Sequence, residues 1–336
     1  MLKMAPIRPN GAPSLQSRLE EVLLELNRLA ESRMYLIVAA GIVSGWIFPG
    51  LDRLTGLVPY LFAYMMLATA LSISARDIAR VAKMPGAVIL IIGTLHGVMP
   101  LIAVGLGRSV FGSESEIAVG MVLAALVPVG VMSVIWTGLA GGDVPLALTV
   151  VGLDSLLSPL VLPGTAALFL GNGVEFDARS LMIGLVWMIV LPTCAGLALH
   201  DVSGGEIGRR LAPFNGAASK ACMLSIIAIN IAAIRGIIET TPVSLGPVLG
   251  ILPVQVASGF LIGLIGGKLL KWSEPRARTL TFSVGLRNIS AGIVIALRYF
   301  SPAAAIPVVL VIVIQQPLAA FFQYWFRRRD QNRIAG

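Results

Sequence analysis

The chain has 336 residues, 57% of them hydrophobic and 12% charged, and its mean hydropathy is +0.89. A soluble domain carries about twice that share of charge, so the composition excludes one and points to a polytopic membrane protein. The formal net charge of +8 is no sign of a nucleic-acid partner, because its placement follows the membrane.

In chain order, residues 1–33 come first and lack the apolar core of a signal peptide. The stretch "SRLEEVLLELNRLAESR" puts Leu19, Val22, Leu23, Leu26 and Leu29 on one face, behind a capping-box pattern at Ser17 and Glu20. This predicts an amphipathic helix on the cytoplasmic membrane surface, in contact with lipid. Ten apolar runs follow, at 34–49, 56–75, 86–107, 116–139, 144–171, 181–200, 218–237, 244–270, 276–298 and 302–326, each about the length of a bilayer span. A basic tail, 327–336, ends the chain. With this division 19 of the 25 Lys and Arg residues fall on the side shared by the two termini. Arg53, Arg108, Arg179, Arg235 and Arg298 fall on the other side, and Arg287 lies inside a span. The bias predicts an inner (plasma) membrane protein with both termini cytoplasmic. Cys194 and Cys222 lack metal-type spacing, so neither a disulfide nor a metal site is expected.

The fourth span is interrupted at "LVPVGVMS", with Pro128 and Gly130, and the ninth at "SVGLRNIS", with Gly285. Each follows four uninterrupted spans of its own half, and an odd number per half turns the second half over. The expected fold is therefore an all-α membrane protein with ten transmembrane helices in two inverted five-helix repeats. Breaks at matching positions of inverted halves mark transporter binding sites, because hydrocarbon cannot satisfy the freed backbone groups. In the eighth span Gly259 and Gly263, four residues apart, predict a close helix contact.

Of the 17 carboxylates 16 fall in loops, at span ends or in the two terminal tails, and only Asp154 lies in the interior of a span. A rise of ~1.5 Å per residue puts Asp154 and Arg287 at about the same depth, so the two are expected to pair. His96 also lies near mid-depth; it reads as a core histidine bonded to a backbone carbonyl or as a titratable group. Ser133, Thr137, Ser155, Thr281, Ser283, Asn288 and Ser290 surround the breaks, and Gln255, Gln315 and Gln316 add amides. An enzyme is not expected. Asp143 and Asp154 stand 11 residues apart on one helix, about 16 Å at the helical rise, too far to share a proton, and His96 has no nucleophile motif beside it. No cofactor is implied.

Taken together, the Pro-containing break followed by Ser133, the "GGDVPLALTVVGLDSLLSP" passage and the "SVGLRNISAG" break with Gly285 and Asn288 resemble the bile-acid:sodium symporter family over residues 34–326. The resemblance implies a panel domain (34–75 and 181–237) and a core domain (86–171 and 244–326) in which the two broken helices cross beside the substrate. It also implies sodium ligands, of which Ser133 remains while Val134, Ala147, Val151, Ser283, Leu95 and Arg287 stand where relatives carry others. Backbone carbonyls at Val284 and Leu286 do not by themselves make a sodium site. Sodium coupling of the family's kind is therefore not carried over, and Arg287 reads as a fixed charge in the place of the second ion. The site expected to hold substrate or ion is Arg287, Asp154, Asn288, Ser133, Ser283, His96, Thr137 and Ser290. The function expected is secondary transport of a small organic anion by movement of core against panel. Three alternatives stay open: a proton-coupled carrier, an uncoupled one, and a binding or signalling protein that no longer cycles.

Overall fold

A computed structural model describes residues 34–76, 79, 85–171, 176–240 and 245–335; the surface helix expected within 1–33 lies outside them. The described residues are helical nearly throughout. Helices α1 (Met34–Ile47) and α2 (Val58–Ala70) are joined by a 3-10 segment, Pro49–Leu57. Next come α3 (Pro85–Phe111), α4 (Glu116–Leu126), α5 (Met132–Leu139), α6 (Val144–Leu170) and α7 (Ala178–Val202). The remainder is α8 (Glu206–Thr240), α9 (Leu245–Leu269), α10 (Glu274–Gly285), α11 (Ile289–Tyr299) and α12 (Ala305–Ala335). By length and composition six helices (α3, α6, α7, α8, α9 and the one ending in α12) are long and apolar enough to cross a membrane; α4 and α11 are shorter apolar helices. Residues 327–335, expected as a separate tail, simply continue α12.

Proline shapes two of these helices in the same way. In α3 a π turn, Thr94–Val98, precedes Pro100, and in α7 another, Val186–Val190, precedes Pro192. A proline ring clashes with the carbonyl four residues back, and widening the turn relieves the clash without ending the helix.

Close packing is made by glycine. A Cβ at Gly259 would lie 2.9 Å from the Val284 carbonyl oxygen, and one at Gly263 or Gly267 would lie 2.5–2.6 Å from Thr281 or Ala277. The expected close face on α9 is thus where α10 lies against it, backbone to backbone, as helices do in lipid. Gly41 and Gly45 do the same for α1 on α8.

At one end α10, α12 and the end of α5 are clasped together. Arg278 donates to both carboxylate oxygens of Asp330 and to the Ala140 carbonyl at 2.7 Å, and its guanidinium lies over the Phe326 ring. Arg329 pairs with Glu274 at 2.7 Å beside it. Sequence reasoning missed this clasp, since nothing local connects residues 52 positions apart.

Candidate functional site

Both interrupted spans are broken where expected. Helix α4 stops at Leu126 and α5 starts at Met132; α10 stops at Gly285 and α11 starts at Ile289. Between the halves the chain is extended, and the two extended pieces meet as an antiparallel bridge between Val129 and Arg287. Gly130 N–H donates to the Leu286 carbonyl at 3.0 Å and Asn288 N–H to the Pro128 carbonyl at 2.8 Å. Each break thus satisfies backbone groups that the other leaves free.

The outward edges of this two-residue ribbon are satisfied by side chains. Val129 N–H donates to Asp154 Oδ2 at 2.6 Å. On the other edge the Gln315 amide accepts from Arg287 N–H at 3.2 Å and donates to its carbonyl at 3.3 Å, acting as a third strand one residue long. Asn288 caps α11 through the Ala291 N–H. Gly130 and Gly285 are needed for room, not for an unusual conformation, since neither has a positive φ. A Cβ at Gly130 would sit 2.7 Å from the Arg287 carbonyl oxygen, and one at Gly285 would enter the Phe260 ring at 2.5 Å.

The expected pairing of Asp154 with Arg287 is not what forms. Among the described residues no ion pair joins them; Asp154, fully buried, lies 2.6 Å from His96 Nε2. Its second oxygen accepts from the Val129 N–H, so each carboxylate oxygen has a partner. His96 meets this carboxylate and not a backbone carbonyl, and its Nδ1 has no partner among the described residues. Arg287, 6% exposed, donates to the Leu95 carbonyl at 3.0 Å and the Val127 carbonyl at 3.4 Å. Both carbonyls are free for local reasons. In the wide π register Leu95 faces Pro100, which has no N–H, and Val127 lies at the first break. The guanidinium thus bridges two carbonyls that the helices leave free.

Ser133, Thr137 and Ser283 do not reach this knot. They lie on α5 and α10, which pack against each other, and their fully buried hydroxyls have no partner among the described residues. Thr281 and Thr149 turn their hydroxyls back to their own helices. Gln255 donates to the Met121 carbonyl and, with Arg287 and Gln315, borders a void of about 20 Å³, room for one water.

Beside the crossing lies a cleft of about 330 Å³. The crossing side of it presents Gly130, Arg287, Asn288, Ser290 and Gln316; the other side is made by α2 and α8, with Thr69, Asn215, Ser219 and Lys220. Among the described residues that line it there is no carboxylate. Helices α5 and α11 both begin at the breaks, so two N-terminal ends, where unsatisfied N–H groups give a partial positive charge, start at this cleft. Beyond its inner end the seam is filled by an apolar cluster that includes Phe62, Leu185, Ile226, Ile229, Val294 and Ile295. Asn215, on the far wall, was missed in the sequence because it precedes the apolar run expected from 218.

Comparison with known proteins adds the following. The model of the sodium bile acid symporter family matches residues 59–240. A protein of Bacillus subtilis (strain 168) recorded as uncharacterized protein YbaS is 33% identical over 275 residues, covering 81% of this chain and 89% of that one. A second from the same organism, named as uncharacterized sodium-dependent transporter YocS, is 25% identical over 94% of this chain and 97% of its own length. The chloroplastic probable sodium/metabolite cotransporter BASS1 of Arabidopsis thaliana is 23% identical, over 80% of this chain and 66% of its own.

Proposed function

The chain belongs to the sodium bile acid symporter family of membrane transporters, and from that premise we propose that it carries a small organic anion across the membrane by alternating access. The observation that carries this reading is the cleft at the crossing: it has Lys220 and the N–H groups of two helix starts on its walls and, among the described residues, no carboxylate. Broken helices whose N-terminal ends meet a cavity at mid-membrane suit an anionic group.

Ten transmembrane segments in two inverted halves are the proposed topology, with each broken pair, α4–α5 and α10–α11, counted as one segment. The proposed panel is 34–75 with 181–237, and the proposed core is 86–171 with 244–326. The seam between them supports movement of one against the other, since it is open at the cleft and dry at the apolar cluster. With the termini in the cytoplasm, the cleft opens inward.

Arg287 is proposed to do permanently what a bound sodium ion does in relatives, namely hold the two breaks together with positive charge. Arginine stays charged under all ordinary conditions, so it cannot itself carry a coupling proton. A second reading has one specific observation in its favour. The buried, unpartnered hydroxyls of Ser133, Thr137 and Ser283 are hard oxygen donors along one seam, and a sodium ion there would satisfy them. Uptake into liposomes with an imposed sodium or proton gradient separates the two. Strict sodium dependence removes the replacement reading, and uptake unaffected by sodium removes the second.

A further inference from the structure

The two sides of the cleft ask for different things from a ligand. On the crossing side are Arg287, Asn288, Ser290 and the first turns of α5 and α11; on the far side Asn215, Ser219 and Lys220 rise along one face of α8. Between them the lining is apolar and soft, with Met65, Met132 and Met223. A single charged head on an apolar body would engage the first side and not the Asn215 amide on α8.

Asn215 makes the second requirement specific. Tyr64, on α2, donates its hydroxyl to Asn215 Oδ1 at 2.9 Å. That bond occupies the acceptor end of the amide. It leaves two N–H donors for the cleft that Asn215 lines, with no described protein group accepting from them. A donor held in this way recognises an oxygen; a methyl group in its place leaves it unsatisfied, and sites of this kind discriminate strongly against the analogue lacking the acceptor.

Resting on the carrier reading above, we infer that the substrate is a two-ended anion. One end is a carboxylate at the crossing, and the other is a second hydrogen-bond acceptor read by Asn215, with Tyr64 as the positioning residue. The cavity of about 330 Å³ is near the lower end of ligand pockets, which run from ~300 to ~1,000 Å³, so the chain joining the ends is short and apolar. Such a molecule touches both helix groups at once. Its binding therefore draws together the two bodies whose relative movement is proposed to transport it, which a one-ended anion would not do.

The test is equilibrium binding to the purified full-length protein by titration calorimetry. The probes are linear dicarboxylates from succinate to suberate, each compared with the monocarboxylate of equal length from butyrate to octanoate. The tightest dicarboxylate is expected to bind at least about tenfold better than its monocarboxylate. Asn215→Leu is expected to erase that ratio, and Tyr64→Phe to reduce it. Asn215→Ser, which keeps a small polar side chain, gives a second variant if the leucine disturbs folding, and it is expected to lower the ratio. A wild-type preference for monocarboxylates, or a ratio unchanged in either Asn215 variant, overturns the inference while the carrier reading stands. If no probe of either kind binds, the anion-carrier reading falls with it.

Discussion

At Arg287 the main chain and the side chain act in different places. The backbone is one rung of the ribbon between the two breaks, bracketed by Gln315, while the guanidinium reaches away to the Leu95 and Val127 carbonyls. Arg287→Ala would leave both buried carbonyls without a donor. Loss of one partner from a buried charged set costs about 3–5 kcal/mol, so this variant is expected to melt well below the wild type in detergent. Arg287→Gln keeps a donor and removes the charge; it is expected to make liposome uptake sodium-dependent. His96→Gln retains a donor for Asp154, whereas His96→Leu does not, and only the leucine variant is expected to lose thermal stability. Asp177, at the start of α7, is a simpler case. Hydrogen bonds from Ser180, and then from the Arg179 N–H, hold its carboxyl below the usual carboxylate range. A lowered folded-state value means that the cap stabilises above the ordinary carboxylate pKa of about 4 and is lost as the pH falls through the lower folded value. Asp177→Asn is expected to flatten this acid limb in thermal unfolding scans.

Elements at the site depend on controlled failures of helix geometry. The π turn in α3 and Pro100 together free the Leu95 carbonyl for Arg287. Pro100→Ala supplies the missing N–H, so the helix can reclaim that carbonyl. A hydrogen bond to a charged group contributes about 1.5–3 kcal/mol, which corresponds to roughly ten- to a hundredfold. A drop of that order in uptake, with helix content unchanged by circular dichroism, is the expected result. Gly130→Ala tests the crossing itself. Its Cβ would meet the backbone of Arg287, which no rotamer change can relieve. The two breaks must then separate, and loss of uptake in a folded helical protein is expected.

For the whole molecule the central feature is the asymmetry of the seam, open at the cleft and closed at the apolar cluster. Ser219→Cys, on the cleft wall, is expected to react with an impermeant thiol reagent only from the cytoplasmic face. Val294→Cys, inside the apolar cluster and 5% exposed, is expected to react from neither face until substrate cycling opens the seam. Equal labelling of both sites from both faces would contradict alternating access. The apolar runs, both breaks and the residues that bear on them were legible in the sequence because membrane segments are nearly uniform, so every departure from uniformity stands out. Partner choice was not legible. Asp154 and Arg287 share a depth, and depth alone made them a pair, but register around the helix axis put His96 in contact with the carboxylate instead.

Hydropathy and charge placement alone determined that this chain is a helical membrane protein with two broken spans and an arginine in one of them, since lipid penalises each polar group locally. Only the tertiary structure decided how those polar groups are satisfied. The Val129–Arg287 bridge, the Gln315 amide along its edge and the donation of Arg287 to carbonyls freed by a proline and a break all join residues far apart in the chain. Hydrogen bonds of this range depend on angle and distance between separate helices. Spacing along one sequence carries no record of either.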